Sequence, residues 1–121
     1  MFALRQMLEG HAAERAAQRL SREEITRLEA VNHALKEAIA KDPPDVARFL
    51  EANRCFHEAI VDAADSPRLG QLLGKLIEAP VVLRTARTYS REDLRQSARD
   101  HDELIAAFAA RDPDWARAVM G

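Results

Sequence analysis

Three side chains that can bind a metal ion fall where the sequence predicts a helical core. Asn53 and His57 are four residues apart, so in a helix they share one face and approach a common point. His101 lies on the apolar stripe of a later predicted helix, so its ring also points inward. A buried imidazole is costly unless its ring nitrogens have partners. One divalent metal bound by Asn53, His57 and His101 satisfies both rings and the amide oxygen.

The same three residues are also explained without a metal. A core histidine is often hydrogen-bonded to a backbone carbonyl, and polar side chains in a core hydrogen-bond to one another. Spacing alone therefore leaves two interpretations open, a metal site and a hydrogen-bonded polar core.

Arginines on predicted apolar faces indicate an acidic ligand. Arg5 lies on the apolar stripe of the first predicted helix and Arg84 on that of the fourth, and Arg87 is a further candidate. A buried guanidinium needs a carboxylate or phosphate partner, which can belong to a bound ligand. An ordinary salt bridge, or a surface arginine with a buried stem, explains each of them equally.

No group of residues indicates catalysis. The sequence has neither Glu-x-x-His nor His-Glu-x-x-His, and no glycine-rich loop that cradles phosphate. It offers few serines, and its one cysteine, Cys55, has no basic cluster around it to favour a thiolate. We therefore expect no enzymatic activity.

Breaker residues divide the chain into helices. Alanine is abundant and glycine occurs only 4 times, which favours a helical bundle over a sheet. Ser21 with Glu24 forms a capping-box start, and Ser90 and Pro113 open later helices. We predict an all-α, antiparallel bundle of about six helices. The predicted segments run over about 2–19, 21–41, 44–64, 69–89 with a kink or break at Pro80, 91–110 and 113–120.

Composition limits the partners. The 121 residues suit one domain over 1–121, and 18 Lys+Arg against 20 Asp+Glu leave no basic excess for nucleic acid. A hydrophobic content of 47% is enough for a buried core. A single cysteine favours a reducing compartment, and no apolar run has the length of a signal peptide or membrane span. We expect a cytoplasmic protein with no membrane partner.

Motifs along the whole chain resemble one known domain. In chain order they are Arg5-x-x-Leu8-Glu9, Ser21-x-Glu23-Glu24, Asn53-Arg54-Cys55-Phe56-His57-Glu58-Ala59-Ile60 and Asp100-His101-Asp102-Glu103-Leu104-Ile105. Their order and spacing resemble the effector-binding domain of FadR-type regulators in the GntR superfamily, the all-helical FCD domain.

The resemblance implies a divalent metal site, with zinc, nickel or manganese. In that family the metal is commonly held by an Asp or Asn, a histidine four residues later, the histidine of the later signature and a third histidine on the last helix. The first three positions correspond to Asn53, His57 and His101 here. The last would fall just beyond Gly121, so we expect the last helix to be cut short and the metal to bind weakly or be absent.

The resemblance also implies partners. A small organic acid would bind in the bundle near the metal, with Arg5, Arg84 and Arg87 as candidates for its carboxylate. The domain would form a homodimer and would reach DNA only through an N-terminal winged helix-turn-helix domain, which is absent from this sequence. The alternative is a helical dimerisation module that binds neither metal nor ligand.

Overall fold

Helices account for the architecture of this chain. The computed structural model describes residues 2–68, 71–72 and 90–120, with side chains from Met7 onward. Five helices have both ends within these residues, and no strand occurs among them. They are α1 (Phe2–Arg19), α2 (Arg22–Ala40), α3 (Val46–Ala63), α4 (Arg91–Ala109) and α5 (Pro113–Met120). None of the described helices is long and apolar enough to cross a bilayer.

The all-helical class is confirmed, while the predicted number of about six helices is corrected to five in the described part of the chain. The difference falls on the predicted segment 69–89 with its break at Pro80, which lies outside the described residues except at 71–72. A proline in a run of leucines leaves the number of helices undetermined by sequence, because it permits either a kink or a break.

Two capping boxes set the starts of α2 and α4. Ser21 Oγ accepts from the Glu24 backbone N–H at 3.1 Å, and Glu24 Oε1 accepts from Ser21 N at 3.0 Å. Ser90 and Asp93 repeat this pairing at 3.1 and 2.8 Å. The bond from the Ser21 backbone lowers the pKa of Glu24. Both helices begin where the sequence predicted, because each cap satisfies backbone donors that the first turn leaves open.

α2 is the element that joins α3 to α4. Leu28 near its start shares a buried cluster with Ile60 near the end of α3, and Leu35 near its end shares another with Phe49 near the start of α3. This pairing makes α2 antiparallel to α3. Leu94, near the start of α4, belongs to the cluster at the start of α3, and Leu104, further along α4, belongs to the cluster near the end of α3. α4 therefore runs parallel to α3.

α1 and α5 pack against each other and against α4. α1 packs against α5, α3 and α4, and it does so through fully buried alanines. These are Ala12, Ala13, Ala16 and Ala17. Small side chains let helices approach closely, and at Gly10 an added Cβ would lie 3.4 Å from Arg117 Cγ. No Cα atom of α3 lies within 8 Å of a Cα atom of α4, so side chains bridge the space between these two helices.

Replacing Ser90 by alanine removes the acceptor of the Asp93 backbone N–H and is expected to lower the free energy of unfolding by about 1 kcal/mol. Urea denaturation followed by circular dichroism measures the change. Ser97→Ala, inside the same helix, is the matched control and should leave stability unchanged or slightly higher, because alanine suits helix interiors. Equal stability of the Ser90→Ala variant and the wild type would contradict the capping role.

Candidate functional site

Two histidines meet in the space between α3 and α4. The ring centroids of His57 on α3 and His101 on α4 are 5.4 Å apart, with an interplanar angle of 71°. His101 is only 3% exposed, and the Nδ1 atom of His57 is buried. The two imidazoles that the sequence predicted to face the core are therefore neighbours.

An aromatic ring holds His101 from one side. Phe56 stacks on it with centroids 4.0 Å apart and planes within 4° of parallel. Phe56 is fully buried and also contacts His57, at a centroid distance of 6.0 Å. This stacking excludes water from one face of the His101 ring and restricts its rotation.

Of the other predicted site residues, the structure describes the side chain of Asn53 but not those of the three arginines. Asn53 is half-buried and lies one turn before His57 on α3, as its spacing predicted. The side chain of Arg5, and all of Arg84 and Arg87, lie outside the described residues. Their predicted contact with a carboxylate therefore stays a prediction.

Asn32 on α2 is a site residue that the sequence analysis missed. It is 2% exposed, and its Oδ1 lies 3.1 Å from His101 Nδ1. Its Nδ2 donates to the backbone oxygen of Ala98 at 3.3 Å and to Asp102 Oδ1 at 2.9 Å. A signal was present, because Asn32 interrupts the buried stripe of Leu28 and Leu35 just as His101 interrupts that of α4.

A surface ion pair borders this polar group. Lys36 Nζ lies 2.9 Å from Asp102 Oδ1 and 2.7 Å from its Oδ2, and both side chains are about half exposed. The Asp102 carboxylate therefore accepts hydrogen bonds from both Asn32 and Lys36. The adjacent His101 points into the core instead, since neighbouring helical residues project about 100° apart.

Burial sets the protonation of His101. Loss of solvent and, to a lesser degree, the neighbouring His57 lower the pKa of His101 to about 3. The ring is therefore neutral at pH 7, which is the form that binds a metal ion.

The donors fit a divalent cation with open coordination positions. Two imidazoles on one tetrahedral zinc ion place their ring centres about 5 Å apart, close to the 5.4 Å between His57 and His101. Among the described side chains no group of three or more His, Cys, Asp or Glu is arranged to hold a metal. The further donors would be the Asn53 amide oxygen, water or an acidic ligand.

Comparison with known proteins gives one family and one fold. A family model described as the FCD domain matches residues 1–121. The solved structure of E. coli McbR/YncC superimposes with a TM-score of 0.84 at 24% identity, covering 97% of this chain and 55% of that one. The chain thus spans about half the length of that structure, and the likeness supports the helical fold. No curated protein matches the sequence.

The metal-free protein is expected to lose stability as the pH falls from 7 to 5. Unfolded His101 titrates near 6.5 and folded His101 near 3, so between these values the unfolded chain binds more protons and acid favours unfolding. Over that range His101 accounts for a loss of about 2 kcal/mol. Urea denaturation in a chelating buffer measures the loss, which should be smaller by that amount in His101→Gln.

The exposed His33 provides the matched control for this measurement. Its side chain is 74% exposed and pairs with Glu37 at 2.8 Å, so His33→Gln should keep the wild-type loss of stability. An equal loss of stability in wild type and His101→Gln would contradict the assignment of this pH dependence to His101. A His101 ring that NMR shows to be in the cationic, doubly protonated form at pH 6 would also contradict it.

Proposed function

Because the chain belongs to the FCD family, the effector-binding domains of GntR-type transcription regulators, we propose that it binds a small organic acid beside a divalent metal. Members of this family are regulators, so the expectation that the chain is not an enzyme is confirmed. The observation that carries the metal proposal is the pair of imidazoles, the buried His101 and the partly buried His57, with centroids 5.4 Å apart.

The metal would be held by Asn53, His57 and His101. When bound, it supplies a positive charge that attracts a carboxylate. Two imidazoles favour zinc or nickel over manganese, which prefers oxygen donors and binds such sites more weakly. Phe56 keeps water from one face of His101 and so keeps the ring neutral and oriented.

The acid would bind where α3 and α4 stay apart. No Cα atom of α3 lies within 8 Å of one in α4, so side chains rather than backbone occupy the space between them. An acid bound there would lie beside His57 and His101. Arg5, Arg84 and Arg87 are proposed to bind its carboxylate through paired N–H donors.

In the whole regulator, the domain is proposed to form a homodimer and to act on DNA through an N-terminal domain. An effector changes such a protein only if it binds two arrangements of the domains with different affinity. An acid that brings α3 and α4 closer together would bind a closed bundle with a different affinity from an open one. Dimer geometry, and with it the spacing of the DNA-reading domains, would follow the favoured arrangement.

One observation favours the alternative, a dimerisation module without metal. His101 already has a partner in Asn32 at 3.1 Å and stacks on Phe56, so its burial is accounted for by protein contacts. Metal content therefore decides between the two functions.

Purified protein equilibrated with zinc, nickel or manganese is expected to bind one metal ion per chain, with zinc or nickel held more tightly than manganese. Mass spectrometry measures the metal content at equilibrium across a dialysis membrane with free metal present, because a site of two imidazoles and an amide binds weakly. His57→Ala and His101→Ala should each lose the metal, because either change leaves a single imidazole.

His33→Ala is the control for this experiment, since it removes an exposed histidine from α2 and should retain the metal. Absence of metal from the wild type, or equal content in all variants, would overturn the metal site and favour the dimerisation module.

Small carboxylic acids are expected to stabilise the metal-loaded protein. At about 100 times its Kd, a ligand raises the free energy of unfolding by about 2.7 kcal/mol, which a thermal shift detects readily. Lactate, a sugar acid, an amino acid and an aromatic acid would each be compared with the corresponding primary amide. A shift for an acid but not for its amide supports carboxylate recognition, and equal shifts for both would contradict it.

A further inference from the structure

We propose that Asn32 is a positioning residue that fixes His101 as the Nδ1–H tautomer, so that Nε2 presents its lone pair to the site. Asn32 belongs to α2, whereas the candidate ligands lie on α3 and α4. The tautomer is a property of the protein alone. Only its effect on metal affinity rests on the proposed function.

The orientation of the Asn32 amide is determined by its neighbours. Its nitrogen faces the Ala98 carbonyl oxygen at 3.3 Å and the Asp102 carboxylate at 2.9 Å. Both of these groups only accept hydrogen bonds, so they match the two hydrogens of an NH2 group. A flipped amide would place its oxygen against two acceptors. The carbonyl oxygen of Asn32 therefore faces His101.

This orientation decides where the His101 proton lies. An amide oxygen accepts and cannot donate, so the 3.1 Å contact with Asn32 Oδ1 is a hydrogen bond only if His101 Nδ1 carries the hydrogen. A neutral imidazole carries a single N–H, and in this arrangement that hydrogen is on Nδ1. Nε2 is then unprotonated and points away from α2, since the two nitrogens lie on divergent sides of the ring.

Neighbouring contacts keep this arrangement in place. Phe56 stacks on His101 at 4.0 Å and restricts rotation of the His101 ring out of its plane. Lys36 pairs with Asp102 at 2.7 Å and balances the charge of the carboxylate that accepts from Asn32. The hydrogen bonds thus run from the surface pair through Asn32 to the buried ring.

A ligand histidine that donates its second N–H in this way is oriented before the metal arrives. Partners of this kind are typically worth 10–100-fold in metal affinity. Asn32 is expected to have such an effect although it does not touch the ion.

NMR of protein labelled with 15N in histidine measures the tautomer directly. In the metal-free wild type at pH 7, the ring correlations of His101 should show a protonated Nδ1 and an unprotonated Nε2, with His101→Gln providing the assignment. In Asn32→Leu the acceptor is gone, and the ring should shift towards the Nε2–H form that a neutral histidine side chain favours in water.

Leu35→Ala is the matched control. Leu35 is fully buried on α2 one turn after Asn32, so its truncation weakens packing without touching the amide. The His101 tautomer should be unchanged in that variant. Competition with a chelator then gives zinc affinities, which should fall about 10–100-fold in Asn32→Leu and much less in Leu35→Ala.

The outcomes separate this inference from the proposed function. A wild-type His101 in the Nε2–H form overturns the role of Asn32, and the wild-type spectrum shows this whether or not Asn32→Leu folds. A tautomer that does not change in Asn32→Leu also overturns it, whether or not zinc binds. A tautomer that changes as expected in a protein that binds no zinc supports the role of Asn32 and overturns the metal site alone.

Discussion

The hydrogen bond between Asn32 and His101 is the interaction on which the polar core depends. A buried ring nitrogen without a partner destabilises a fold by about 1–3 kcal/mol, so an imidazole that is 3% exposed requires an acceptor at a defined place. That requirement determines how α2 lies against α4. α2 must run antiparallel to α4 and turn its one buried polar residue towards His101, as it does in this fold.

The small side chains of α1 allow it to pack closely against its neighbours, whereas the helices α3 and α4 on either side of the polar core are farther apart. Four fully buried alanines bring α1 against its neighbours at one end of the fold. α3 and α4, by contrast, meet through larger side chains, which include the rings of Phe56, His57 and His101. α1 is therefore packed more closely against its neighbours than α3 is against α4.

Periodicity predicted much of the candidate site. His101 interrupts an apolar stripe with helical spacing and is buried as expected, and His57 follows Asn53 by one turn on the face that meets it. The number of helices was harder to predict, because Pro80 permits either a kink or a break and local sequence does not decide between them. Arg84 and Arg87 fall in that same stretch, and so their predicted roles depend on packing that no local pattern specifies.

The sequence by itself determined the helix starts at Ser21 and Ser90 and the face that each helix buries. These features depend on hydrogen bonds within one turn and on a repeat of 3.6 residues, both of which are local. Only the tertiary structure decided which partner His101 has. Asn32 lies 69 residues away along the chain, and periodicity tells which side of a helix is buried but not which residue of another helix lies against it. The neutral form of His101 follows from its burial, which lowers its pKa, so it too was decided by the fold.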